Sequence, residues 1–433
     1  ASMINAGGVS AMKTIAKHIF SNYKDLLILG ISGALIGAAV GVLEALFGLV
    51  LQECTGIRTG HLFVLVPFLP LAGVLIVTLY RRLGKKASQG MKLVFRVGLG
   101  EDQDLPMRMI PLAMVSTWLT HLCGGSAGRE GVAIQIGAAV SDNIDRLVRR
   151  KWTIEKREKI FLLTGMAAGF AGLFQTPLAA VFFALEVLVV GELEYSALFP
   201  AAVASFTAST VSGRLGLSNF HYILETEMSV SFPLLLQMAL LGILFGIAGS
   251  CFAQGIRLAR LRLTFLFEGH PYRKVVLMGI VLAAVMLLVH GGRYAGSGEN
   301  LVELGFSGGG IYWYDWILKA LLTILTLSSG FIGGEVAPLF AIGTCLGSLL
   351  APLFGLPAEF VMALGYAAVF GSGTNTLLAS ILIGCEVFGY GMLPYFFVTC
   401  IMAYLFNWNK SIFTSQQKSL VHYLRHIQRR SRI

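Results

Sequence analysis

The amino-acid sequence predicts an all-α polytopic membrane protein whose helices are tilted, broken and re-entrant. Composition is the first reason. Of 433 residues, 56% are hydrophobic and only 13% charged, with a mean hydropathy of +0.75. A soluble chain of this length could not hide that much apolar surface. Segment length is the second: apolar stretches run from about residue 26 to 408, yet many fall short of the roughly 20 residues that cross a bilayer. Charge placement is the third. Of the 33 Lys and Arg residues, 25 fall in clusters at 13–24, 81–86, 145–159, 257–274 and 410–433, each between apolar blocks or at a terminus.

Residues 1–25 read as an N-terminal cytoplasmic segment. Lys13, Lys17 and Lys24 are not followed by a signal peptide's short apolar core and cleavage site, so the first helix is expected to remain. The block 26–52 is long enough to span, and 62–80 is borderline. The stretches 131–141, 159–173, 177–190, 338–354, 359–371 and 375–388 hold 11 to 17 residues and are interrupted by Gly or Pro. Non-helical backbone at membrane depth is tolerated only where protein covers it or a polar cavity meets it, which favours a transport pathway over a simple bundle. The positive-inside rule places the five basic clusters, and with them both termini, on the cytoplasmic face of a multi-pass protein in the lipid bilayer. The expected organisation is a first repeat half over 26–215, a second over 216–409 and a basic cytoplasmic tail over 410–433. No separate soluble regulatory domain is expected.

Several function classes are disfavoured. The net charge of +10 invites a nucleic-acid reading, but aromatic-basic patches are few and the charge sits between spans, so no nucleic-acid partner is expected. The six cysteines form no C-x-x-C and read as small buried hydrophobes. His422 and His426 stand at i, i+4 on a tail helix without further ligands nearby, so no metal and no cofactor is expected. Without H-E-x-x-H, Gly-x-Ser-x-Gly or paired aspartates, an intramembrane enzyme is a remote alternative.

The chain contains a repeat. Gly165 to Val187 matches Gly365 to Val387 without a gap, with nine of 23 positions identical and a closing Glu-Val in both copies. Upstream lies a second matched element: Gly128-Arg-Glu-Gly-Val-Ala with Ile136-Gly137, and Gly333-Gly-Glu-Val-Ala-Pro with Ile342-Gly343. Each half therefore carries a glycine-rich, carboxylate-bearing helix mouth followed by the repeated segment. Paired interrupted segments at corresponding positions point to a transporter's central site. Glu186 and Glu386, at matched ends of the repeat, suggest an end-of-helix role.

Within the first mouth, Gly124-Gly-Ser-Ala-Gly-Arg-Glu-Gly-Val-Ala-Ile-Gln-Ile-Gly137 sets Glu130 among glycines. Glycines let backbone N–H groups approach an anion closely, and a helix N-terminus carries partial positive charge. A carboxylate there can occupy the anion site itself, or take a proton and leave it. Its bland role would be a helix cap, but an acidic side chain beside an apolar segment is expensive to bury and points to function.

These elements resemble the CLC chloride channel and transporter family, over residues 25 to 415. The resemblance rests on Gly-x-x-Gly-Arg-Glu-Gly at Gly125 to Gly131 and the Gly-x-x-x-Pro mouth at Gly334 to Pro338. It implies the CLC-type inverted-repeat fold, a homodimer with one ion pathway per subunit, and Glu130 as the gating glutamate. Three departures narrow the subtype. Where chloride-handling members place Gly-Ser-Gly-Ile-Pro, this chain reads Ala87-Ser-Gln-Gly-Met-Lys-Leu93, with Met91 near the anion-coordinating serine. Glu335 stands where those members have apolar residues. Val187 replaces the internal proton-transfer glutamate. Together these resemble the bacterial fluoride/proton antiporter branch, in the inner membrane; a chloride channel or chloride/proton exchanger of the same fold is the alternative.

The resemblance implies an anion site of Gly90, Met91, Gly128, Arg129, Glu130, Gly131, Val132, Glu335, Val336, Ala337 and Phe413, and a proton path through Glu130 and Glu335. Half-helix N-termini at 90–95, 130–137 and 336–343 would supply the dense N–H donors that hydrated fluoride requires. Arg129 is expected to neutralise or anchor the local backbone. Ala337 stands where the fluoride branch commonly has threonine, and Phe413 where members usually carry a tyrosine, so its ring lacks the O–H donor. With Val187 lacking a carboxyl, Glu130 is expected to carry the proton alone.

Overall fold

A computed structural model describes residues 2–149, 156–224 and 228–418, with side chains described from residue 23. The His422 and His426 pair, most of the basic tail and residues 150–155 of the third basic cluster lie outside the described residues.

No proline interrupts the first apolar block, so it forms one helix, α1 (Ser2–Gly60), which runs beyond the expected 26–52 and absorbs the segment expected to stand apart. Pro67 and Pro70 lack the N–H that a helix interior needs, and the next span breaks into α2 (Leu62–Leu65) and α3 (Leu69–Leu79) around a 3-10 turn. The first half continues through α4 (Met91–Gly98), α5 (Met109–Leu122), α6 (Glu130–Val148), α7 (Arg157–Phe174), α8 (Pro177–Glu186) and α9 (Leu198–Arg214). The second comprises α10 (Phe232–Leu266), α11 (Pro271–Leu288), α12 (Glu299–Phe306) and α13 (Asp315–Ser329). It closes with α14 (Val336–Phe354), α15 (Ala358–Thr374), α16 (Leu378–Phe388) and α17 (Leu393–Leu405). Among the described residues five stretches, including Tyr23–Gly60, Phe232–Leu266 and Val336–Phe354, are long and apolar enough to cross a membrane.

The expected short segment 131–141 is instead the 19-residue α6. Its polar end stays helical because Asp142 pairs with Arg146 at 2.7 Å and Asp145 with Arg157 at 2.6 Å. Among the described residues the expected all-helical chain has a small exception: β1 (Val189–Val190) pairs in parallel with β2 (Gln417–Lys418).

Small residues set the helix packing, as they do where lipid removes the hydrophobic drive between helices. Gly33, Gly37 and Gly41 of α1 face Pro200, Ala204 and Ala208 of α9. The two repeats share one crossing: Gly137 of α6 lies against the Gly165 carbonyl of α7, and Gly343 of α14 against the Gly365 carbonyl of α15. At both crossings a Cβ would collide with the opposing carbonyl.

The repeats also cap each other. Glu186, at the end of α8, accepts the backbone N–H groups of Leu377, Leu378 and Ala379 at 3.2, 3.2 and 2.8 Å. Glu386, near the end of α16, accepts those of Leu178 and Ala179 at 2.9 and 2.8 Å. Four N–H groups at a helix N-terminus lack intrahelical partners, and these carboxyls satisfy them across the inverted pair.

The basic clusters at 81–86 and 257–274 meet on one face, where Arg81 lies 5.4 Å from the Tyr272 ring centre. Of the cysteines, Cys123, Cys345, Cys385 and Cys400 are buried, whereas Cys251 is exposed on α10.

Candidate functional site

The glycine loop before α6 is held by the second half. Gly128 and Gly334 exchange N–H to carbonyl bonds at 2.7 and 2.6 Å, and the Ala127 N–H donates to the Gly296 carbonyl at 3.1 Å. Behind this loop lies Lys319, a fully buried residue of α13. Its ammonium donates to the Ser126 Oγ at 2.9 Å, the Gly296 carbonyl at 2.7 Å and the Tyr294 carbonyl at 3.2 Å. Arg58 adds a bond to the His121 carbonyl at 2.6 Å. Buried cations demand such partners, and these partners fix the loop in the form that aims α6.

Between the two mouths sits Glu130, 0% exposed. Its Oε2 accepts the Arg129 N–H at 3.0 Å, and the backbone N–H groups of Glu130 and Ala337 also face the carboxyl. Oε1 has no hydrogen-bond partner. A Cβ on Gly334 would lie 2.7 Å from the Glu130 nitrogen, so only glycine lets the second mouth close this tightly on the first. The carboxyl thus occupies a cradle of N–H donors contributed by the mouths of α6 and α14.

Residues adjacent to Glu130 face opposite sides. Gly131, Glu335 and Val336 line a cavity of about 700 Å³ on the face bearing the basic clusters. Arg129 and Ala337 line a pocket of only about 30 Å³ with Asn219, Glu299, Phe340 and Tyr366. Glu130 stands in sequence between Arg129, which lines the narrow pocket, and Gly131, which lines the wide cavity. Ala337, the site of the missing hydroxyl, therefore belongs to the narrow pocket and not to the wide cavity.

The wide cavity gathers several expected residues. At the mouth of α4, Gly90 adopts φ of +54°, a left-handed conformation that suits glycine. Met91 follows, its Cγ 3.6 Å from where a Gly131 Cβ would stand. Gln135, one turn along α6, donates to the Gly131 carbonyl at 2.8 Å and lines the same space. Phe413 sits at the cavity wall, 7% exposed, its ring stacked on Phe95 at 5.1 Å and edge-on to Phe183 at 6.1 Å. It is held there by the flanking chain: the Ile412 N–H bonds to the Gly373 carbonyl at 2.9 Å, and the Gln416 amide donates to the Val187 carbonyl at 2.9 Å. Val187 itself is buried.

Three expected residues are placed differently. Glu335 is the sequence counterpart of Glu130, but its carboxyl opens into the wide cavity and pairs with Arg260 at 2.9 Å. It does not share the cradle. The Val132 N–H points back to the Arg129 carbonyl at 3.2 Å. Arg129 turns from the cradle toward the narrow pocket, bonding the Asn219 Oδ1 at 3.0 Å and lying 3.5 Å from Glu299.

Sequence reasoning passed over Lys319, Arg260, Asn219 and Glu299. Lys319 carried a readable signal, a lone cation inside the apolar run of α13. The others lie outside the motifs and meet the site only through folding.

The fold and its centre define a class: a polytopic membrane transport protein built from two inverted repeats around one buried, carboxyl-filled site. The chain belongs to the voltage gated chloride channel family, whose model matches residues 72–407. It is 34% identical over 401 residues to a chloride/fluoride channel protein of Pseudomonas syringae pv. tomato, covering 91% of this chain and 86% of that protein. Identity to the H(+)/Cl(-) exchange transporter ClcA of Yersinia pestis is 30% over 316 residues, 69% of this chain and 65% of that one. A crystal structure of a CLC-type fluoride/proton antiporter superposes with a TM-score of 0.89 at 46% identity, covering 92% of this chain and 99% of its own. A slow cyanobacterial Cl-/H+ antiporter shares the fold at 21% identity and a TM-score of 0.73, covering 88% of this chain and 94% of its own.

Proposed function

We propose that this chain exports fluoride in exchange for protons, with Glu130 as both gate and proton carrier. The carrying observation is that Arg129 and Gly131, on either side of Glu130 in sequence, line different cavities, while the buried Glu130 carboxyl accepts a backbone N–H at the mouth of α6. An anion crossing from one space to the other needs that cradle, so carboxylate and anion compete for it. Protonation removes the charge that holds the carboxyl among donors, and fluoride then takes the same N–H groups.

Fluoride as the passenger is supported by Met91 at the first mouth, by Glu335 at the second, and by likeness to the fluoride/proton antiporter structure. Gly90, Met91, Gly131, Glu335, Val336 and Phe413 form the approach from the wide cavity, with Glu335 a relay for protons on that side. Gly128 shapes the cradle through its pairing with Gly334, and Arg129 and Ala337 border the exit. Val187 carries no acid, which leaves the central transfer to Glu130. The basic residues on the wide-cavity face support a topology with that face and both termini in a bacterial cytoplasm, and the proposed subunit of a homodimer comprises the halves 26–215 and 216–409.

The test is efflux from proteoliposomes read by fluoride, chloride and pH electrodes together. Fluoride leaving with counter-movement of protons is expected. Chloride leaving as fast as fluoride would instead assign the chloride reading, and fluoride without protons a channel.

A further inference from the structure

A basic well beside the wide cavity has no part in this scheme. It encloses about 360 Å³ and is lined by α10 and the chain following α17, with Arg257, Lys410 and Lys418 in its wall and no Asp or Glu among the described residues. None of these three cations makes an ion pair among the described residues. Residues 419–433 hold four arginines and no acid, so the chain after Lys418 brings no counter-charge. A third space, of about 430 Å³, shares Thr414 and Lys418 with the well, and there Lys92 and Arg96 are accompanied by Glu101. Like charges gathered without a carboxylate repel one another, and an anion among them removes that cost.

Side-chain amides fix the wall of the well. Asn407 Nδ2 donates to Asn375 Oδ1 at 2.7 Å, Asn375 Nδ2 donates to Asn409 Oδ1 at 3.0 Å, and the Asn409 backbone N–H donates to Asn407 Oδ1 at 2.7 Å. This ring holds Trp408 and Asn409 at φ of +51° and +55°, a left-handed region that a tryptophan adopts only under constraint. The turn brings Asn409 and Lys410 together into the wall. With Oδ1 already an acceptor, the Asn409 amide nitrogen is left as a donor.

Size and donor type select the ligand. The volume lies in the range of small-molecule sites, roughly 300–1,000 Å³, and far exceeds a halide. An arginine fork joined by lysines and an amide donor matches the oxygens of a phosphate group, which accepts several charge-assisted bonds at once. Arg257, Phe413 and Thr414 line both the well and the wide cavity, so a charge held in one is felt in the other.

We propose that the well binds a phosphate-bearing anion, and that bound phosphate slows fluoride by neutralising Arg257 at the border of the ion approach. The effect on fluoride rests on the reading of the wide cavity as that approach; the binding does not.

Binding is tested by calorimetry on the full chain in neutral detergent, titrated with inorganic phosphate, with adenosine monophosphate and with phosphatidylglycerol. Saturable binding of at least one is expected. Binding of phosphate or the nucleotide assigns a soluble source, and binding of phosphatidylglycerol alone assigns a lipid headgroup. The double variant Arg257→Gln/Lys410→Gln should weaken binding on the order of tenfold, through lost charge-assisted contacts. Arg82→Gln removes a charge from the same face outside the well and should leave the affinity unchanged. No saturable binding of any probe, or an Arg82→Gln protein weakened as much as the double variant, overturns the proposal. Should the double variant fail to fold, Lys410→Gln with wild-type affinity overturns it equally. Fluoride efflux is then recorded from phosphatidylcholine proteoliposomes with the bound probe on both sides or in both leaflets. Turnover should fall several-fold in wild type and not in the double variant; equal sensitivity in both, or none in wild type, overturns the effect on fluoride. Proton coupling that survives Glu130→Gln sinks the gate and leaves the calorimetric result standing.

Discussion

Glu186 and Glu386 stand at equivalent positions of the repeat, and each accepts the N–H groups at the start of the other half's helix. The closest bond is 2.8 Å in both, to Ala379 and to Ala179. Removing either carboxyl orphans buried donors, which costs about 1–3 kcal/mol per site. Glu186→Ala, which frees three N–H groups, should lower the thermal midpoint in detergent more than Glu386→Ala, which frees two. Equal midpoints for both variants and wild type would refute the capping role.

Glu130→Gln keeps the side chain's size but cannot exchange a proton. Proton movement driven by a fluoride gradient should fall to the level of protein-free liposomes, read by a pH electrode. The folded fraction should be unchanged, because the amide still accepts the backbone N–H groups of the cradle. Persistent coupling would move the proton elsewhere.

The glycine crossings admit no side chain. Gly343→Ala and Gly137→Ala each drive a methyl into the facing carbonyl, and overpacking of this kind costs about 1–3 kcal/mol, more where backbone must shift. Gly56→Ala is the control, since a Cβ there meets nothing within 4 Å; it should be neutral or slightly stabilising through helix propensity. Thermal melts of the three variants check the order.

The Glu335–Arg260 pair is half open to the wide cavity, with Arg260 45% exposed and Glu335 17%. Screening by salt weakens such pairs. Arg260→Ala should alter fluoride turnover at low ionic strength and converge on wild type in high salt. A difference that persists in high salt would show that Arg260 shapes the cavity by packing.

Much of this centre was readable because its signals are local. The glycine frame, Glu130 and the aligned repeats lie in continuous stretches, and each predicts a helix mouth by its own chemistry. The helix-end role of Glu186 and Glu386 was also legible from their matched positions. Which helix each caps was not, because the partners lie in the other half. The setting of Glu335 was legible only in part, for a related reason. Its sequence environment mirrors that of Glu130, but its carboxyl pairs with Arg260, on α10, in the wide cavity. Lys319 was overlooked as one charge in an apolar helix, although its three acceptors sit around positions 126 and 294–296 and exist only after folding. The length of α6 escaped because apolar periodicity ends near Ser141, whereas ion pairs continue the helix to Val148.

The inequality of the two spaces, about 700 Å³ against 30 Å³, also governs how the molecule meets membrane voltage. A cavity filled with electrolyte holds nearly one potential throughout, so little of the drop falls along the wide side. In the proposed scheme the field is instead compressed around Glu130 and the pocket beyond it. A charge crossing the whole membrane exchanges roughly 2.3 kcal/mol per 100 mV, and on that reading most of it acts over the travel of the Glu130 side chain. The proposed gate would then respond to the electrical gradient across the membrane as well as the chemical one.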